Sequence, residues 1–211
     1  MKMKLAWILF LVVAVFNVAI TANAQEKPTI LVLGDSLSAG YNIEVEQGWV
    51  ELLNQKLKQE GYPHTVINGS ISGDTTTQGL LRLPTLLKQH APEIVIIELG
   101  GNDALRGTSP TAIKRNLAKL IDTSKRSGAE VLLLGIQIPP NYGQRYAQAF
   151  FNNYAQLANE KKVKLVPVFL ENVGGVDELM QEDGIHPNAK AQQTLLENVW
   201  PQLKTQIKNA G

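Results

Sequence analysis

The chain has 211 residues, with 20 basic and 19 acidic side chains, a formal charge of +1 and no cysteine. Near-balance of charge leaves no basic footprint for nucleic acid, and the lack of thiols removes disulfides and cysteine nucleophiles. With three histidines there are too few ligands for a convincing metal site, and no H-E-x-x-H, P-loop or G-x-G-x-x-G motif occurs.

The first segment stands apart from the rest. Lys2 and Lys4 precede an apolar run from Leu5 to Ile20, broken by Asn17 and followed by Ala22-Asn23-Ala24. A basic start, a short apolar centre and a small-x-small site form the layout of a secretory signal peptide. The run falls short of the ~20 residues that a membrane span prefers. Residues 1–24 are therefore expected to be a signal peptide cut after Ala24, and residues 25–211 one domain. The expected location is periplasmic or secreted, with no stable membrane insertion after cleavage. No cysteine follows the apolar run to carry a lipid anchor.

Beyond it, short apolar runs alternate with amphipathic stretches. Thr29–Leu33 is the first run and ends at Gly34. Trp49, Leu52, Leu53 and Leu57 follow at helical spacing. Thr65–Ile67 is the second run, closed by Asn68-Gly69. Ile94–Leu99 is the third, closed by Gly100-Gly101, and Ile113, Leu117, Leu120 and Ile121 mark the helix after it. Val131–Ile136 is the fourth, Val163–Val168 the fifth, and Ala189–Ile207 reads as the last helix, with Leu195, Leu196 and Val199 on one face. Such runs suit strands buried on both faces. Strand–helix alternation predicts a parallel sheet with helices on both sides, whose active residues collect at the carboxyl ends of the strands. The short basic clusters Lys125-Arg126 and Lys161-Lys162 read as solvated helix ends or loops.

Four short blocks lie at those predicted strand ends or on the last loop. Gly34-Asp35-Ser36-Leu37-Ser38 puts a serine where a strand turns into a helix, beside free backbone N–H groups. Ser36 there can be a nucleophile; equally, Asp and Ser are ordinary helix caps. Ile71-Ser72-Gly73-Asp74 offers the Gly73 N–H, and Gly100-Gly101-Asn102-Asp103 offers the Asn102 amide, both suited to an oxyanion. Either block is also common turn chemistry, and Asp74 and Asp103 fit either of two roles, polar supports or, the favoured reading, solvated loop acids. Asp183-Gly184-Ile185-His186-Pro187 sets an acid three residues before a histidine. In a turn, that spacing lets Asp183 hold one imidazole nitrogen while the other faces Ser36. His64 reads as a loop residue and His90 as a helix-end histidine. Leu37, Leu105, Pro139 and Ile185 are candidates for an acyl groove, whereas Ile138 reads as core.

As a set, these blocks resemble the SGNH superfamily, also called GDSL hydrolases, in its TesA-type subgroup. The matching residues are Ser36, Gly73, Asn102 and His186, in order. Longer stretches, Gly69–Thr75, Gly100–Gly107 and Pro139–Gly143, carry the subgroup likeness. The resemblance implies a three-layer α/β/α sandwich around a five-stranded parallel sheet, of flavodoxin-like form. It implies a periplasmic or secreted serine hydrolase with thioesterase, arylesterase or lysophospholipase activity. Ser36, Asp183 and His186 would be catalytic, and Ser36, Gly73 and Asn102 would form the oxyanion hole. No metal or organic cofactor is implied. The expected partner is a small-molecule or lipid acyl ester or thioester, and the expected state is a monomer. The competing readings are a carbohydrate O-deacetylase or short-chain acetylesterase on the same fold, and a non-catalytic periplasmic binding domain.

Overall fold

The computed structural model describes residues 27–207, so the expected signal peptide and the cut after Ala24 lie outside the described residues. Five strands are present: β1 (Thr29–Gly34), β2 (Thr65–Asn68), β3 (Ile94–Glu98), β4 (Glu130–Leu134) and β5 (Lys164–Val166). All neighbours pair in parallel, in the order β2-β1-β3-β4-β5. That is the flavodoxin-like order, whose direction reverses between β1 and β3. The crevice at such a reversal opens outside the carboxyl ends of those two strands.

Seven α-helices connect and flank the strands: α1 (Ser36–Ala39), α2 (Trp49–Gln59), α3 (Thr76–His90), α4 (Gly101–Leu105), α5 (Pro110–Arg126), α6 (Gln144–Lys161) and α7 (Gln192–Lys204). Side chains alternate across a strand, so each strand feeds two cores. Leu31, Leu33, Val95, Ile97, Val131 and Leu133 pack with α3, α5 and α6 through Leu83, Ile113, Leu117, Phe150 and Tyr154. Ile30, Val32, Ile94, Ile96, Leu132 and Leu134 pack with α2 and α7 through Trp49, Leu53, Leu195 and Val199. The result is the expected three-layer sandwich.

The basic clusters do end helices: Lys125 and Arg126 close α5, and Lys161 closes α6. The expectation of burial on both faces is corrected at both edges of the sheet. β2 is only partly buried and β5 runs from the exposed Lys164 to the buried Val166, because each has a single neighbouring strand. The apolar run of β2 is too short to show the difference. Ile138 is buried in the first core, as its sequence reading had it.

Candidate active site

β1 and β3 deliver the central part of the site. β1 ends at Gly34, and α1 starts one residue later at Ser36. Asp35 caps α1, its Oδ1 accepting the Leu37 N–H at 3.1 Å. The expected cap is thus real, and it falls to Asp35 rather than to Ser36. β3 leads through Gly100 into α4, whose second residue is Asn102. Gly100 adopts φ +119, and a Cβ there would meet the Tyr154 hydroxyl at 2.6 Å, so glycine is demanded twice over.

The loop from Met180 to Pro187 supplies the histidine. An antiparallel bridge between Met180 and Pro187 closes it, and the Gln181 N–H donates to the His186 carbonyl at 2.8 Å. Inside the loop, Asp183 Oδ1 accepts the backbone N–H groups of Ile185 and His186 at 2.9 and 3.0 Å. Its Oδ2 lies 2.6 Å from His186 Nδ1. Partial burial pushes the Asp183 carboxyl up, but the hydrogen bonds from the His186 N–H and ring, then from Ile185, outweigh it and bring the pKa down to about 2. An ionised carboxylate accepts only, so the imidazole proton sits on Nδ1. Nε2 is then free to accept, and it lies 2.8 Å from Ser36 Oγ. Ser36 and His186 are 150 residues apart in the chain.

Gly73 lies in the turn between β2 and α3 with φ +84, a conformation that favours glycine. Its carbonyl accepts from Arg106 Nη2 at 3.0 Å. Neither the Ser36 N–H nor the Gly73 N–H has an acceptor among the described residues. Asn102 differs. Its Nδ2 donates to Asp35 Oδ2 and to the Asp74 carbonyl, both at 3.0 Å. Both amide hydrogens are therefore engaged within the protein.

The remaining candidates separate cleanly. His64 and His90 precede β2 and β3 and lie at the amino edge of the sheet, away from Ser36. Leu37 and Leu105 are half-buried against the cores, while Pro139 and Ile185 are exposed. Asp74 and Asp103 are not solvated loop acids. Both are buried: Asp103 accepts the Thr76 N–H and hydroxyl at 2.7 and 2.6 Å, and Asp74 accepts Arg82 Nε at 2.9 Å. They cap and anchor the start of α3, a role that depends on α4 and α3 meeting and leaves no local mark. Among the described residues no group of three or more potential ligands is placed to hold a metal.

Residues 32–194 match the GDSL-like lipase/acylhydrolase family. The chain belongs to that family. It is 56% identical over 187 residues to the esterase TesA of Pseudomonas aeruginosa, covering 89% of this chain and 92% of that one. It is 45% identical to the thioesterase 1/protease 1/lysophospholipase L1 of Escherichia coli, covering 92% of each. A crystal structure of TesA superposes with a TM-score of 0.83 at 55% identity, covering 85% of this chain and 99% of that one. The chain is accordingly an enzyme, a GDSL-family ester hydrolase on a five-stranded parallel sheet flanked by helices.

Four residues around the family's blocks escaped the sequence reading. Tyr41, 49% exposed, lays its ring 4.6 Å from the His186 ring. Gln181 ties the two halves of the site together. Its Nε2 donates to the carbonyls of Tyr41 and Pro187 at 2.9 and 3.1 Å, and its Oε1 accepts from Asn42 at 3.1 Å. Neither carries a local signal. Asp35 stood in view as a cap, and Glu98 stood in view as the one acid in an apolar run. Burial pushes Asp35 up to about 6, against hydrogen bonds from Leu37 and Asn102. Burial also holds the Glu98 carboxyl far above the usual range, and the neighbouring Asp35 charge adds to the effect.

Proposed function

We propose that the enzyme hydrolyses carboxylic esters and thioesters of acyl chains through an acyl-enzyme on Ser36. The observation that carries this reading is the continuous line Asp183 Oδ2 to His186 Nδ1 at 2.6 Å and His186 Nε2 to Ser36 Oγ at 2.8 Å. His186 takes the Ser36 proton as Oγ attacks the acyl carbon. The Ser36 and Gly73 N–H groups receive the oxyanion, joined by the Asn102 amide. For that, Asn102 releases the Asp74 carbonyl and keeps Asp35, so one N–H pivots while the other anchors it. One such donor is typically worth ~3 kcal/mol in the transition state. His186 then protonates the leaving alcohol or thiol, and water repeats the sequence to free the acid.

Exposure at the rim supports an acyl substrate. Tyr41, Ile71 and Ile185 are 49%, 47% and 42% exposed. Tyr41 touches His186, Ile185 adjoins it, and the Ile71 N–H bonds to the Gly34 carbonyl beside the nucleophile turn. Large apolar side chains left in water next to a reacting centre gain by covering an alkyl chain, at up to ~0.8 kcal/mol per methylene. With Leu37, Leu105 and Pro139 they form the proposed acyl surface. No helix among the described residues is long and apolar enough to cross a membrane. We further propose an exported, monomeric enzyme acting on small-molecule or lipid acyl esters.

The test is a substrate panel crossing head group with acyl length, run on the native protein and on Ser36→Ala. Medium and long chains are expected to be handled as well as acetyl, with all turnover lost in the variant. Strict preference for acetyl would establish the short-chain acetylesterase or O-deacetylase reading instead. Turnover surviving in Ser36→Ala would end the serine mechanism.

A further inference from the structure

We propose that Glu98 is a positioning residue of this hydrolase: from the end of β3 it fixes the nucleophile turn and, through Asp35, the direction of the Asn102 amide. The proposal rests on the Ser36 mechanism above.

The geometry begins with the register of the sheet. Glu98 pairs with Gly34, the last residue of β1. A Cβ on Gly34 would lie 2.7 Å from Glu98 Oε2, so the missing side chain makes the space that the carboxyl fills. From there Oε2 accepts the Ser38 hydroxyl at 2.8 Å and the Asp35 N–H at 3.3 Å. Asp35 and Ser38 bracket Ser36, so Glu98 grips the turn on both sides of the nucleophile. Asp35 carries the effect onward. With its N–H held by Glu98, its carboxylate receives the Leu37 N–H and one Asn102 N–H. An amide group is planar, so holding one hydrogen on Asp35 sets the direction of the other.

The same surroundings dictate the protonation state. Glu98 is fully buried, and its Oε1 has no hydrogen-bond partner among the described residues. An ionised carboxylate in such a place is costly unless a cation accompanies it. The groups facing the pair are mostly acidic or neutral. Asp35 adjoins Glu98 directly and Asp74 before α3 acts on Asp35 at longer range, while the Tyr154 hydroxyl on α6 is itself pushed up by its burial and by Glu98, Asp35 and Asp103. His186 is the cationic influence on Asp35, and Arg82 is occupied by Asp74. Burial and the adjoining Asp35 therefore favour the neutral form of Glu98. Its ionisation would place a second negative charge beside Asp35, close to where the oxyanion develops in the mechanism above.

The experiment compares Glu98→Gln and Glu98→Leu in the full chain. Steady-state kcat and KM are measured on a p-nitrophenyl ester from pH about 6 to about 9.5. Glutamine is neutral and keeps an acceptor for the turn. It is expected to hold kcat within about threefold of native at pH ~7. Leucine fills the space without an acceptor. It is expected to lower kcat by roughly 10- to 100-fold with KM nearly unchanged. Native-like kcat in Glu98→Leu overturns the proposal, as does a loss in Glu98→Gln equal to that in Glu98→Leu. If the leucine variant does not fold, the glutamine variant decides alone: a kcat more than about tenfold below native at pH ~7 overturns the proposal. A Ser36→Ala control separates the two readings, since turnover there would refute the serine mechanism rather than the role of Glu98.

Discussion

Two carboxyl groups serve the site, one from the loop before α7 and one from the turn after β1, and their surroundings push them in opposite directions. Asp183 is exposed, receives two backbone N–H groups and the His186 ring, and falls to about 2. Asp35 is buried beside a second acid and rises to about 6. Solvent and local donors make the first a dependable anion facing a histidine that becomes cationic in the proposed mechanism. Burial makes the second a group whose value lies in acceptor geometry. The fold thus exposes the acid that faces the imidazole and buries the acid that orients the Asn102 amide.

The comparison is broken most severely at the exposed side. His186→Ala should abolish ester hydrolysis, while His64→Ala and His90→Ala, at the far edge of the sheet, should leave it nearly intact. Asp183→Asn should lower kcat by about 10⁴-fold, because an amide favours the wrong tautomer of the imidazole. Full activity in His186→Ala would remove the base. Asn102→Ala comes next, with kcat expected to fall by roughly 10²-fold or more in a folded protein. An unchanged kcat there would take Asn102 out of the oxyanion site.

Asp35→Asn sharpens the contrast. Asparagine keeps one acceptor where Asp35 serves two donors, so kcat should fall only about tenfold, the cost of one unsatisfied polar contact. A loss as deep as that of Asp183→Asn would mean that the Asp35 charge itself is required.

A smaller effect should appear in stability. Glu98 is raised on folding, so the folded chain holds a proton that the unfolded chain releases above the ordinary glutamate range. Stability from this group is present at low pH and is lost as pH rises toward the raised value. Asp35 has the same sign between 3.8 and about 6. Asp183 has the opposite sign: its contribution is present above 3.8 and is lost as pH falls toward about 2. Thermal melts of Glu98→Gln should therefore gain a few degrees over native at pH about 8, with the gain shrinking toward pH about 4. A gain largest in acid would reverse the assignment. Least in magnitude is a test by intact mass: the exported protein should begin at Gln25, and retention of residues 1–24 would refute the cleavage site.

Legibility followed the range of the interactions. All five strands lie where their apolar runs place them, and the runs report burial for the central strands β1, β3 and β4 but not for the edge strands β2 and β5. The Asp183–His186 pair was legible for a similar reason: three residues separate donor and acceptor. For Asp74 and Asp103 the polar-support reading is the one realised, against the favoured solvated one; Asp103 gives no local sign of it because its partner Thr76 opens another helix, 27 residues away. Glu98 was overlooked because one acid in the run Ile94–Leu99 hardly changes its apolar average.

The sequence by itself determined the alternation of strands and helices, the positions of the four blocks at strand ends, and the local turn that joins Asp183 to His186. Each depends on residues a few positions apart, where spacing already implies contact. Only the tertiary structure decided that Ser36 meets His186 across 150 residues, that Gln181 bridges their two loops, and that Glu98 lies under the nucleophile turn. Those contacts arise from the parallel register of β1 against β3 and from the space left at Gly34. Register and free volume belong to the packed sheet, and no residue type signals either one along the chain.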